Sequence, residues 1–220
     1  MITAVVAVRK GSQRVPNKNI RPFGDSNLLQ MKLDTLKEVD GIDDIIVNSD
    51  CDEMLDIGRM NDVKTHKRDE YFASSKATNS EFHGHIGEVT KSDVIFLAPV
   101  CSPFITPDSH QDAIDYYCGG FDSVTSIQSV KNHLWRDKQP LNYELDKVPN
   151  SQDLPDIFKL TYGITIVDRD IMRHKKRVVG DHPGFTELDE IQSVDIDTEF
   201  DWMVAESIWK TYGWEMKNNE

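Results

Sequence analysis

The chain has 220 residues, 38% of them hydrophobic, which is enough for one full core and within the span of a single domain. Its 38 acidic residues against 25 basic ones leave a formal charge of −13, a field that repels polyanions and argues against a nucleic-acid partner. Three cysteines, Cys51, Cys101 and Cys118, are an odd number without metal-ligand spacing, which argues against a disulfide framework or a zinc site and for a reducing cytoplasm.

The opening MITAVVAV is apolar but too short for a membrane span, and it lacks the basic start and cleavage site of a signal peptide; neither targeting nor membrane association is expected. Residues 2–8 form a β-branched run that reads as a buried strand, broken at once by a Gly/Ser/Pro-containing loop. Helical spacing follows over 28–39, a short strand over 43–50 and a helix over 52–60. A strand over 93–100, a helix over 109–117 and a strand over 123–130 repeat the rhythm. Residues 131–160 break it, being polar and weakly periodic, and read as an excursion before a strand over 163–168. The chain closes with a strand-like SVDID (193–197) and a helix over 201–214, whose Trp202, Ala205, Ile208 and Trp209 share one core-facing side. Alternating strands and helices predict an α/β fold with a mainly parallel sheet covered on both faces.

Two stretches carry chemistry. The loop RKGSQRVPNKN (9–19) gathers cationic and amide side chains around Gly11 and Ser12 directly after the first strand. In an open parallel sheet that position lines the ligand crevice, where small residues let backbone N–H groups approach phosphate and Arg or Lys neutralises it. A solvated basic turn is the alternative, and neither GxxxxGK[ST] nor GxGxxG is present. In VDIDTEFD (194–201), Asp195 and Asp197 lie two apart and point to one side if extended. Their repulsion becomes ligation around a hard cation such as Mg²⁺, which takes one or two carboxylates plus substrate phosphates. The same stretch also suits a helix start, with Thr198 as N-cap and Glu199 and Asp201 in the first turn. Cys101 has no nearby His in a pairing pattern and reads as buried, while His83 and His85 lack a third metal partner and read as surface or helix-start groups.

Taken together, these stretches resemble the acylneuraminate cytidylyltransferases, the CMP-sialic acid synthetases, over nearly the whole chain. RKGSQRVPNKN resembles the family's phosphate loop, which carries over onto Arg9, Lys10, Gly11, Ser12, Lys18 and Asn19. VNSD (47–50) resembles the second-strand ending, and RDEYFASSKAT (68–78) the cytosine-reading segment, carried onto Arg68 and Ala77. SVDIDTEFDWMVAE (193–206) resembles the signature ending, whose first aspartates, here Asp195 and Asp197, bind the metal. The departures lie on the sugar side. Ala98-Pro99-Val100-Cys101-Ser102-Pro103 stands where the family has Gln-Pro-Thr-Ser-Pro, and Tyr162-Gly163 stands for Asn-Gly. In the first loop Gln13, followed by Arg14, stands for the Lys after Ser.

The resemblance implies a three-layer, Rossmann-like nucleotidyltransferase fold in one domain, with 131–160 as an arm for a homodimer. It implies CTP and an acidic 2-keto sugar as substrates, Mg²⁺ as cofactor, and Arg9, Arg14, Lys18 and Asp197 as catalytic groups. Lys159 and Tyr162 are the expected contacts to the sugar. Rival readings are a same-fold nucleotidyltransferase for a different sugar or small acid, and a non-catalytic nucleotide binder.

Overall fold

A computed structural model describes residues 1–218, with side chains described through Gly213. Seven strands form the central sheet: β1 (Ile2–Ala7), β2 (Asp44–Ser49), β3 (Lys64–Lys67), β4 (Val94–Leu97), β5 (Ser123–Ser129), β6 (Phe158–Asp168) and β7 (Pro183–Glu187). Their order across the sheet is β3-β2-β1-β4-β6-β5-β7. Only β6 runs against its neighbours β4 and β5; every other pairing is parallel. The mainly parallel α/β sheet expected from the sequence is therefore present.

Alternation along β1 divides the core. Ala4 and Val6 face one cluster with Leu29, Leu33 and Leu36, which come from helix α1 (Leu28–Lys37). Helices α2 (Asp52–Met60), α5 (Pro107–Cys118) and α6 (Glu199–Asn218) complete that layer. Trp202 is buried and meets Phe23 edge-on at 5.3 Å, and Trp209 packs at the margin of the same cluster. Burial of one such ring contributes about 2–3 kcal/mol, which pins the last helix to the sheet. Trp214 lies outside the described side chains. Val5 faces the opposite cluster with Ile86, Ile171, Met172 and Val178. There α4 (Asn79–Val89) and a π-helical turn, Ile171–Lys175, form the third layer. A four-residue helix, α3 (Glu70–Ala73), precedes α4.

Three features differ from the sequence reading. SVDID is not a strand: the N–H groups of Ser193 and Val194 close a turn onto Asp189 and Ile191, and only Ile196 donates to the strand-end region, to the Cys101 carbonyl at 2.9 Å, so no ladder forms. Strand β6 begins at Phe158, pairing Phe158 with Ser129 and Lys159 with Gln128, so the excursion ends sooner than its composition suggests. It holds a small ribbon pairing Trp135–Arg136 with Gln139–Pro140. Strands β3 and β7 and helix α4 escaped the periodicity reading because KTHK and PGFTE are short and polar or Gly/Pro-led, and α4 carries two internal glycines.

Candidate active site

The chain runs outward from β1 through β2 and β3, then crosses to β4 on the other side of β1. The carboxyl ends of β1 and β4 thus flank a topological switch point, where open α/β sheets hold ligands. A cleft of about 830 Å³ opens there, floored by Ala7, Leu97 and Ala98 and bordered by residues of α4, β6 and the segment after the π-turn. Tyr162 and Asp197 line it directly.

The first loop is fixed from within. Val15 is fully buried, and the buried Asn19 donates through Nδ2 to the Arg9 carbonyl at 3.1 Å. Gly11 and Asn17 adopt left-handed backbone (φ 78° and 54°), which glycine and asparagine tolerate, and this folds the loop back on itself. Lys18 donates to the Ile196 carbonyl, and its Nζ lies 3.6 Å from Asp197 Oδ1. Arg14 Nη2 reaches the same oxygen at 2.9 Å. Two cations of the first loop, Arg14 and Lys18, and the late carboxylate Asp197 therefore meet although they lie far apart in sequence. Arg9 donates to the Ala73 carbonyl at 2.8 Å, and the Lys10 N–H donates to Asp50 at 2.9 Å. Ser12 is half-buried in the same loop.

Arg68 follows β3 and is buried at 5% exposure. Its Nε donates to Asn48 Oδ1 and its Nη2 to the Val8 and Asn48 carbonyls, which locks the guanidinium across the ends of β1 and β2. Nη1 takes no part in these bonds. Burial lowers the Arg68 pKa to about 10, with Asp50 opposing the shift. Asn48 also meets the His66 ring at 2.9 Å, and Ala77 is half-buried just before the Thr78 cap of α4.

At the start of α6, Thr198 and Asp201 exchange hydrogen bonds: Thr198 N–H and hydroxyl donate to Asp201 Oδ2, and Asp201 N–H donates to Thr198 Oγ1. Glu199 pairs with Arg21 at 2.9 Å. Those acids serve the helix, which leaves Asp195 and Asp197 for the cleft. Burial raises the Asp195 pKa, the Cys101 thiol donates to its carboxylate, and the charge of Asp197 raises it further. Burial pushes the Cys101 thiol up to about 12, so it is no nucleophile.

Lys159 lies in the β6–β5 ladder outside the cleft lining, whereas Tyr162 sits at a bulge in β6 with φ 55° and keeps 48% of its surface exposed. The sequence reading passed over Lys176 and Arg177, which line the cleft; the run HKKR (174–177) was their signal. It also passed over Lys32, a fully buried lysine on α1 that donates to the Ser102 carbonyl at 3.0 Å behind the cleft floor. Nothing but its place in a helical pattern marks that residue in sequence. His83 lines the cleft, while His85 stacks on Phe72 at 4.1 Å. Among the described residues no group of three acidic, His or Cys side chains forms a metal cage, and no helix is long and apolar enough to cross a membrane.

Comparison with known proteins finds relatives in sequence and in fold. The chain is 25% identical over 218 residues to N-acylneuraminate cytidylyltransferase A of Danio rerio, in an alignment covering 93% of this chain and 50% of that protein. It thus spans about half the length of that relative. It is 24% identical over 225 residues to CMP-N,N'-diacetyllegionaminic acid synthase of Legionella pneumophila, covering 94% of this chain and 95% of the relative. The solved structure of CMP:2-keto-3-deoxy-manno-octonic acid synthetase complexed with CTP shares the fold at a TM-score of 0.69 and 12% identity, covering 96% of this chain and 98% of that one. The family model described as Cytidylyltransferase matches residues 3–133, more than half of the sequence, and the chain belongs to that family.

Proposed function

We propose that this protein transfers CMP from CTP to the anomeric hydroxyl of an acidic 2-keto sugar of the sialic-acid type, releasing pyrophosphate. The observation that carries the reading is the convergence of Arg14 and Lys18 on Asp197 at the mouth of a cleft at the sheet's switch point. That arrangement offers cations for a polyphosphate beside a carboxylate for a metal.

The donor set fits Mg²⁺. Asp195 and Asp197 present only hard oxygen ligands, two positions apart in sequence and next to the cleft-lining Cys101 and the cations of the first loop. When bound there with phosphate oxygens, Mg²⁺ supplies charge neutralisation at the phosphoryl group. The residues of the chain do the rest by positioning and electrostatics. The sugar hydroxyl attacks the α-phosphorus in line, and Arg9, Arg14 and Lys18 offset the charge on the departing pyrophosphate. Backbone N–H groups of Gly11 and Ser12, with the Asn19 side chain and the Lys10 N–H bond to Asp50 holding the loop, cradle the phosphates, and the Lys10 ammonium adds positive charge. Arg68 turns its uncommitted nitrogen to the cytosine, and carbonyls near Ala77 accept from the 4-amino group. Tyr162 faces the sugar.

The excursion before β6 exposes Trp135, Leu141, Leu145 and Val148, an apolar set that a second copy would cover, in keeping with a homodimer and with the arm expected over 131–160. The three free thiols suit a reducing, cytoplasmic setting.

The test is pyrophosphate release from CTP and Mg²⁺ against a panel of nonulosonic and octulosonic acids. Release is expected with at least one acid and none without the metal. Binding of CTP without release for any acid would leave a non-catalytic nucleotide binder.

A further inference from the structure

The cations at the cleft differ in where their charge is spent. Arg14 and Lys18 of the first loop are already paired with Asp197, which lines the cleft. The cations that themselves line it are Lys176 and Arg177. Arg177 is committed to Asp181, which also holds Lys175. Lys176 has no ion pair or hydrogen bond among the described residues. Its electrostatic partner is Glu81, whose carboxylate is already taken by the Thr78 N–H and hydroxyl at 2.8 Å each and by Tyr71 at 3.0 Å.

This wall is built rather than loose. Val178 is buried in the core cluster beneath α4. The N–H groups of Gly180, Asp181 and His182 donate to Ser123 Oγ at 2.7 Å, Asp122 Oδ2 at 2.7 Å and Asp122 Oδ1 at 3.0 Å. Gly180 allows that approach, because a Cβ there would lie 2.0 Å from Asp122 Oδ1. The π-turn ends at Lys176 in left-handed backbone, φ 54° and ψ 38°, a conformation that costs a lysine free energy and is kept only where the surroundings enforce it. The stem of Lys176 then crosses Gly84 of α4, its Cγ 3.3 Å from where a Cβ would begin. A strained backbone on an anchored segment thus holds, at the rim of the cleft, an ammonium that makes no direct ion pair or hydrogen bond among the described residues and feels Glu81 only beyond contact distance.

We propose that Lys176 is the anchor for the carboxylate of the acidic co-substrate, binding it across the cleft from Asp197 and setting the preference for acids over neutral sugars. This inference rests on the cytidylyl-transfer reading above. A cation without a direct partner gains most from a charge-assisted bond, whereas Arg177 would have to leave Asp181.

The test is calorimetric titration of a panel of 2-keto acid sugars, N-acetylneuraminate first, each against its methyl ester, with CTP titrated in parallel. Wild-type protein should bind an acid in preference to its ester. Lys176→Met should weaken the acid about 10- to 100-fold, the loss of one charge-assisted hydrogen bond, and erase the acid–ester preference while CTP affinity stays within twofold. Lys176→Arg should restore most of the preference, and Arg177→Met should change it less than threefold. The proposal is overturned if the preference survives in Lys176→Met, if Arg177→Met is the variant that erases it, or if CTP affinity falls in parallel. It is also overturned if wild-type protein binds CTP but prefers no acid over its ester, a result that leaves the nucleotide reading standing. Failure of wild-type protein to bind CTP would instead remove that reading itself.

Discussion

The nucleotide-side wall and the wall opposite it are made in different ways. The first is a network: Arg68 is locked by Asn48 and Val8, Asn19 holds Arg9, and Arg14 and Lys18 close on Asp197. The second holds groups outside that network: Tyr162 at a bulge, Lys176 at a left-handed turn without a direct partner, and Cys101, whose neighbour Ser102 is held through its carbonyl by the buried Lys32. The contrast suggests that polyphosphate chemistry demands groups fixed before the ligand arrives, because reorganisation during charge transfer is costly. A wall that only selects the second substrate can keep its charge open. The cleft lining is also where the chain departs from the acylneuraminate cytidylyltransferase pattern, since Tyr162, Ala98, Pro99 and Cys101 are among its residues.

The sharpest way to break the comparison is at Asp197. Asp197→Asn is expected to lower kcat by about 100- to 1000-fold, the loss typical of one electrostatic group in a reacting site, with little change in the denaturation midpoint. The amide still accepts from Arg14 and Lys18, so the fold keeps its contacts. Turnover within a fewfold of wild type would detach Asp197 from the chemistry.

Arg68→Ala should separate a structural network from a mere binding surface. It strands the Asn48 side chain and two strand-end carbonyls, so denaturant melts should show about 2–4 kcal/mol of lost stability alongside weaker CTP binding. A stability change under about 0.5 kcal/mol would mean that the nucleotide wall is no more prebuilt than its counterpart.

How much of this was legible in sequence follows the same line. The first loop and the late aspartates could be read because their residue types, their placement after β1 and before α6, and their order resemble a known pattern. The strand over SVDID was misread because alternation of Asp195, Ile196 and Asp197 is the same whether or not a ladder forms; here one bond, from the Ile196 N–H to the Cys101 carbonyl, stands in place of a ladder. Lys176 and Lys32 stayed hidden for a different reason. The first owes its place to a π-turn packed on α4, the second to the approach of α1 to the Ser102 carbonyl, and both are long-range events that no local periodicity encodes. Lys159 shows the converse: alignment near a family position put it in the candidate set, yet its strand partner is Gln128.

A smaller effect tests whether the selecting wall costs stability. Burial lowers the Lys32 pKa from 10.5 to about 8, so the protonated form is disfavoured in the fold. The unfolded chain then binds the extra proton, and this group's contribution improves as pH rises from 8 to 10.5. Its penalty at pH 7 is on the order of 3 kcal/mol, offset in part by the bond to Ser102. Lys32→Met should therefore raise stability at pH 7 by about 1–2 kcal/mol, with the gain shrinking by pH 10. Melts of both proteins across that range check it; a gain that is constant with pH would mean that the lysine is not carrying the charge.

The central claim is that the prebuilt wall reads cytidine triphosphate, and competition between CTP and UTP tests it most directly. The two share ribose, phosphates and most of the ring, but cytosine offers a 4-amino donor and an N3 acceptor where uracil offers an acceptor and a donor. With carbonyls near Ala77 accepting from the amino group and Arg68 donating to the ring, UTP leaves lone pairs facing lone pairs. Each buried mismatch costs about 1–3 kcal/mol, so the ratio of kcat/KM for CTP over UTP is expected to be on the order of tens to hundreds. A ratio near one would contradict the cytidylyl assignment.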